Sequence, residues 1–406
     1  MAKNTQSSGS LAAATANIET TGRSGFGTLL ILAIGTFAVG TDAFVLSALM
    51  PAMARDLNSS VPKVGQIMTL FAVTYAVSAP IIAALTAPWP RKRLLLLAQT
   101  VFVIGMLMQA LGTNIEIVAG GRMVAAVGAA GYTAAATAVA ATLVPAASRG
   151  QALAIVMGGF TVATMFGVPL GSLLGGLVGW RWTLSLVAMV GALAALGALR
   201  LPEVRVPVAG LTERMAALKL PGVPSTLLTT VATLAGGFTM YTYLPALIAP
   251  ALQGSTATLS VVLLLYGTAG ALGNVVAGKL TDRVGPLAVL RVGIAGIGLA
   301  GLLMPLLRAD LYGVLAIVCV WSFCGWATGV PQQYRLMTAA PQVPTVVLGW
   351  NASANYAGIS IGAMLGGALL AWTDVAWLGP AAAVCALLAL LLTWLQAPAR
   401  REAAQS

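Results

Sequence analysis

The chain has 406 residues, of which 59% are hydrophobic and only 8% charged. A soluble globular domain carries about 25% charged residues, so composition excludes that class and indicates an integral membrane protein. The net charge of +11 suggests nucleic acid at first sight, but its placement along the chain argues for membrane topology instead, and no nucleic-acid partner is expected.

Residues 1–27 are polar and small, without the charged start, apolar stretch and cleavage site of a signal peptide. They read as a cytoplasmic tail. Twelve apolar spans follow, at about 28–52, 64–87, 93–112, 116–143, 150–178, 182–201, 224–249, 257–279, 286–307, 311–333, 345–371 and 375–396. Each is close to the ~20 residues that cross a ~30 Å hydrocarbon core. Their long unbroken apolar runs predict helices, since barrel strands would alternate. With these spans assigned, 16 Lys and Arg fall on one side and four on the other, while Arg122 lies at or inside a span. Positive loops stay in the cytoplasm, so both termini are expected there, with 397–406 as a C-terminal tail.

The first span carries the most informative residue. Asp42 interrupts an otherwise uncharged run, Leu29 to Met50. An acid at the bilayer centre costs about 2.5–3.5 kcal/mol even on the lenient insertion scale. Such a residue usually faces a water-filled path and titrates there. The alternative is a carboxyl that only hydrogen-bonds a neighbouring helix. Arg122, in the fourth span, is permanently charged. It is a candidate to tune Asp42, or else a snorkelling residue at the span entry. Gly167, Gly171 and Gly175 in the fifth span recur every four residues, with Pro169 between them. They offer a smooth, bent face on which another helix can close.

The longest connection runs from Leu201 to Val223 and is rich in proline and charge. It divides the chain into a half at 28–201, a linker at 202–223 and a half at 224–396. Leu85-Thr86 after span two and Leu280-Thr281 after span eight occupy matching turns, which supports an internal repeat. The expected fold is therefore all-α, with twelve transmembrane helices in two six-helix pseudo-symmetric halves. A substrate cavity belongs between the halves near mid-membrane. Candidate liners are Phe44, Tyr75, Tyr132, Met157, Tyr241, Tyr243, Trp326, Asn351, Asn355 and Tyr356, each with helix packing as the alternative role. Asp282 and Arg283 sit at the turn after span eight, as either a docking carboxylate or a solvated ion pair. No paired carboxylates, metal cluster, phosphate loop or activated nucleophile is evident, so neither an enzyme nor a cofactor is expected. The partners expected are a small-molecule substrate, protons and membrane lipid, with the chain a monomer.

These motifs resemble the major facilitator superfamily, in its twelve-span drug:proton antiporter branch. Gly40-Thr41-Asp42-Ala43-Phe44-Val45 resembles that branch's acid-bearing first helix. Gly167 to Gly175 followed by Gly179-Trp180-Arg181 resembles its antiporter motif, and Arg122 its membrane arginine. Gly278 to Gly285 is similar to the signature loop, carried here by the second half. With Ala141-Thr-Leu-Val-Pro145 the pattern is most similar to the chloramphenicol exporters. The chain departs from the pattern at Ala87 and Pro88, where an aspartate and an arginine are usual, and at Ala126, where a glycine is usual. Gating would then lean on Arg91, Lys92 and Arg93 or on Asp282. The resemblance implies export of a neutral amphipathic antibiotic across the bacterial inner membrane, with Asp42 and Arg122 coupling protons and Gly167, Pro169 and Gly171 sealing the path. Export of a sugar or polar metabolite, or a sensor that does not transport, are the competing readings.

Overall fold

A computed structural model describes residues 5–145, 148–204 and 210–395, with only the backbone for 5–25, 211 and 395. The spanning helices are α1 Thr5–Asp56, α2 Val61–Leu85, α3 Arg91–Leu111, α4 Ile115–Thr142, α5 Arg149–Leu177 and α6 Trp180–Ala198. After a short linker helix, Leu211–Ala217, come α7 Val223–Tyr241, α8 Thr256–Val284, α9 Pro286–Leu307, α10 Leu311–Ala339, α11 Pro344–Trp372 and α12 Leu378–Leu395. No strand occurs among the described residues. The segment expected as an N-terminal tail is helical from Thr5, continuous with α1; it holds no proline to stop the helix. Residues 205–209 of the linker and the expected C-terminal tail at 397–406 lie outside the described residues.

Helix starts differ at the two ends of the bundle. At the end bearing the α1–α2 turn, side chains cap the helices: Ser60 accepts from Lys63 N at 3.3 Å, Asn114 from Ile117 N at 2.9 Å, Ser255 from Thr258 N at 3.1 Å and Asp310 from Gly313 N at 2.6 Å. Each cap satisfies an amide that the first turn leaves open. At the linker end, proline opens α7, α9 and α11, where its missing N–H costs nothing. The α8–α9 turn needs φ +85° at Gly285, a conformation that favours glycine.

Eleven helices among the described residues are long and apolar enough to cross a membrane. The seventh expected span is the exception, and its threonines are the reason. α7 has 19 residues, about 28 Å at ~1.5 Å each. Thr226, Thr229, Thr230, Thr233 and Thr239 are all buried, and each hydroxyl donates to the carbonyl four residues back. Their polarity is thereby absorbed within the helix itself. The chain then breaks at Tyr241 and continues as two single turns, Leu244–Leu247 and Ala249–Leu252.

Within each half, small residues bring backbones together. A methyl group on Gly128 of α4 would strike the backbone of Phe102 of α3, and one on Gly362 of α11 would strike Ala235 and Phe238 of α7. Packing without side chains between helices is how bundles gain contact in lipid. The halves meet through α2 against α11 and α5 against α8. Tyr75 stacks on Tyr356 with ring centroids 3.6 Å apart. Gly65 of α2 is covered by Tyr243, Gly176 of α5 by Thr256, and Gly267 of α8 by the backbone of Thr164 and Met165. These contacts lie between the middle of the bundle and the α1–α2 end. Toward the linker end the pairing stops. Gly278, on the strip of α8 that carries Gly267, has nothing within 4 Å of a built methyl. Met157, on the α5 strip that carries Thr164, is 40% exposed. The α5–α8 seam between the halves is thus closed toward the α1–α2 end and open toward the linker end.

Candidate functional site

Asp42 and Arg122 form the centre of the site. Both are fully buried, and their side chains make a direct ion pair. The same guanidinium nitrogen of Arg122 also donates to the Asp42 carbonyl at 3.2 Å. The Arg122 guanidinium lies over the Phe71 ring of α2, 4.1 Å from its centroid. Three helices, α1, α2 and α4, therefore converge on one charge pair. Arg122 is not a snorkelling residue: it has no exposed surface and it faces α1. The pair is left incompletely bonded. The second Asp42 carboxylate oxygen, the Arg122 Nε and the neighbouring Thr41 hydroxyl are buried without a hydrogen-bond partner among the described residues. Buried groups with unused capacity call for an explanation.

The glycine strip of α5 is what seats α1 here. Gly167 faces Thr41 and Phe37, Gly171 faces Val45, and Gly175 faces Leu49. Both sets advance by four residues, so two parallel helices interlock along one ridge. Pro169 is buried at the start of the straight segment, just past a π-helical turn, Ala163–Gly167. Such a turn marks strain or function more often than chance. A side chain at Gly167 would push directly on the residue preceding Asp42.

Aromatic residues continue from this centre. Phe71 lies 6.0 Å from Tyr356, which stacks on Tyr75, so the Arg122 charge borders an aromatic bridge between the halves. A second group holds Phe44, Phe238, Tyr241, Tyr266 and Trp321, with Phe44 to Tyr241 at 5.8 Å. The Tyr241 hydroxyl donates across the halves to the Phe44 carbonyl at 3.3 Å. Trp326 is half-buried against Gly270, and Asn355 is half-buried. Of these residues, Phe44, Phe71, Tyr75, Tyr241 and Tyr356 make contacts between the two halves.

Other expected liners are engaged in helix packing. Tyr132 is fully buried between α4 and α1, donating to the Leu32 carbonyl at 3.1 Å. It belongs to the packing of the first half, because Gly35 leaves the space its ring fills. Tyr243 donates to the Ala363 carbonyl at 3.0 Å and is wedged against Gly65 and Gly366, so it plugs the shut end. Asn351 accepts from the Thr230 hydroxyl at 3.2 Å inside the second half. It joins a buried network that sequence reading missed. Gln332 donates to the Thr226 carbonyl at 3.1 Å and to the Thr230 hydroxyl at 2.9 Å, and Arg335 donates to Gln332 at 2.7 Å.

At the linker end, Arg91 is buried and donates to the Ala87 carbonyl at 2.9 Å, while its amide donates to the Val204 carbonyl at 2.8 Å. Arg93 lies over Trp89 at 4.9 Å. The linker helix packs by Ala217 against the ends of α7, α10 and α11, and Trp350 donates to the Arg214 carbonyl at 2.9 Å. Burial holds the Arg214 guanidinium below its ordinary pKa. Asp282 and Arg283 are both exposed and make no salt bridge or hydrogen bond among the described residues. Neither the docked carboxylate nor the loop ion pair is formed in this conformation. At the opposite end Asp56 is bound by Arg181 and Trp180, and Arg181 reaches the Gly112 carbonyl at 2.9 Å, tying α1, α3 and α6.

A family model described as Major Facilitator Superfamily matches residues 32–363 and 226–406. The chain belongs to the Major Facilitator Superfamily. Among curated relatives, a chloramphenicol resistance protein of Streptomyces lividans is 34% identical over 351 residues, covering 85% of this chain and 89% of that one. The MFS-type transporter YbcL of Bacillus subtilis is 31% identical, covering 91% and 96%. The inner membrane transport protein YdhP of Escherichia coli K12 is 30% identical, covering 92% and 97%. Among solved structures, a partially occluded inward-open conformation of the xylose transporter XylE from Escherichia coli matches with TM-score 0.72 at 14% identity, covering 92% and 98%. That likeness shows the fold. The bundle of two six-helix halves is the Major Facilitator fold, and the chain is a multi-pass membrane transporter of that superfamily.

Proposed function

We propose that this transporter exports a neutral amphipathic antibiotic of the chloramphenicol type in exchange for protons, as a monomer in a bacterial inner membrane. The observation that carries the reading is the buried Asp42–Arg122 pair with an unused carboxylate oxygen. The Streptomyces lividans relative supplies the substrate class, and the aromatic border of the interface suits a flat, weakly polar ligand.

The linker end carries most of the Lys and Arg, so by the positive-inside rule it is cytoplasmic. The described conformation is then open inward, with Asp42 held by Arg122 and shut from both compartments. A proton reaches Asp42 when the α1–α2 end opens and the halves rock about the centre. Neutralising the carboxyl releases Arg122 and weakens the fit to drug, which leaves outward. Closure and proton loss to the cytoplasm restore the pair. The α1–α5 ridge at Gly167, Pro169 and Gly171 keeps the site dry between these steps. Arg91, Arg93, Asp282 and Arg283 act at the cytoplasmic gate, in the conformation that closes it.

One proton moving down ~100 mV supplies about 2.3 kcal/mol, and each pH unit adds about 1.36 kcal/mol. Together they support a gradient of roughly 500-fold, at ~1.4 kcal/mol per decade. In everted vesicles acidified inside, adding chloramphenicol should release luminal protons at a rate that saturates with drug. Vesicles that hold their acid when chloramphenicol is added, with the protein correctly inserted, would contradict the reading.

A further inference from the structure

Two grooves open on the outer surface of the second half and share Phe323 and Cys324. The larger, about 420 Å³, lies between α8 and α10, from Leu265 to Leu272 along α8. The smaller, about 150 Å³, lies between α8 and α9 and runs from Val276 to Val284. Glycine makes the room: Gly293 and Gly296 let α9 sit directly on the backbone and sulfur of Cys324. Together the grooves follow α8 from mid-span to its linker end. From Leu265 to Val284 is 19 residues, about 28 Å at ~1.5 Å each, of which the linker-side part from Leu272 to Val284, about 18 Å, is close to one leaflet of a ~30 Å core. The lining is almost wholly apolar, while the linker end of the groove is not. Lys279 and Arg283 are exposed there, within a turn of Leu280 and Val284, and Arg283 is unpaired among the described residues. Asp282 is the one acid in that turn, so the mouth is net positive.

We propose that this groove holds one acyl chain of an anionic glycerophospholipid from the linker-side leaflet, its phosphate at Lys279 and Arg283. The chain lies along Val292 and Leu280, and its end reaches the pocket beside Cys319. A membrane-facing furrow of this length is not filled by water, since it offers water no polar partners. Basic residues at the end of an apolar path between helices are the usual recognition of anionic headgroups. Because α8 also forms the α5 contact, a lipid in this furrow bears on the helix that closes the transporter.

The test is intact-mass analysis of the detergent-purified full chain after exchange into equal phosphatidylglycerol and phosphatidylcholine. Wild type should retain one phosphatidylglycerol in preference to phosphatidylcholine. Lys279→Gln with Arg283→Gln, which alters exposed residues only, should lower that preference, by roughly fivefold per basic residue. Val292→Trp, which fills the groove, should lose the retained lipid altogether. A second readout uses Cys324 alone, with Cys319→Ser and Cys385→Ser. Phosphatidylglycerol should slow its alkylation by a membrane-soluble maleimide more than phosphatidylcholine does. Equal retention of both lipids, equal retention by the groove-filled variant, or lipid-independent alkylation would each overturn the proposal.

Discussion

Asp42→Ala should destabilise the folded transporter by about 3–5 kcal/mol and abolish proton-coupled export. The cost arises because it leaves the Arg122 guanidinium buried with no counter-charge, and Arg122 has no exposed surface through which to escape. Arg122→Ala should cost less. The carboxyl it leaves behind can bind a proton and become neutral, whereas a guanidinium cannot shed its charge. The asymmetry separates an ion pair from ordinary packing, where the larger side chain would cost more. The double variant Asp42→Ala with Arg122→Ala removes both charges and should recover most of the stability without recovering export. Denaturant unfolding in detergent, followed by tryptophan fluorescence, measures all three; a double variant no more stable than Asp42→Ala alone would mean the two side chains are not coupled.

Gly267→Ala should drive the transporter out of the conformation described here. Its methyl group would overlap the Thr164 carbonyl and the Met165 Cα, and backbone atoms cannot turn away as a side chain can. Overpacking in a tight interface costs about 1–3 kcal/mol. Since α5 and α8 belong to different halves, opening the α1–α2 end relieves that cost, and the population shifts by roughly 5- to 150-fold. Met157→Cys, on the exposed strip of α5 at the linker end, reports the shift. Water-soluble maleimide should label it readily in the parent and much more slowly after Gly267→Ala. Unchanged labelling would place the closure elsewhere than the α5–α8 contact.

Much of this architecture was legible in the chain. Asp42 stood out because a lone acid in an apolar run is costly wherever it points, and that cost is a property of sequence and bilayer alone. The Gly167–Gly175 ridge was readable for the same reason, as a spacing of four predicts a smooth face. Its partner was not readable, because nothing in α5 says that Thr41, Val45 and Leu49 repeat at the same interval on the helix beside it. The packing of Tyr132 and Tyr243 was not readable, because a tyrosine's destination depends on the glycine opposite, at Gly35 and Gly65, in another helix. Gln332, Thr230 and Asn351 form a network across three helices that no local spacing signals. The seventh span shows the reverse case. Its threonines weaken an apolarity count but satisfy their own hydroxyls, so the helix survives burial.

In the proposed cycle Asp42 exchanges its proton as drug binds. Binding and protonation are then linked reciprocally, and the linkage is measured in weakly buffered solution with a pH dye as chloramphenicol is added to the detergent-purified transporter. Wild type should release up to about one proton per chain on binding, while Asp42→Asn should bind and release none. The same release from Asp42→Asn as from wild type, or saturable binding to wild type without any release, would contradict the account.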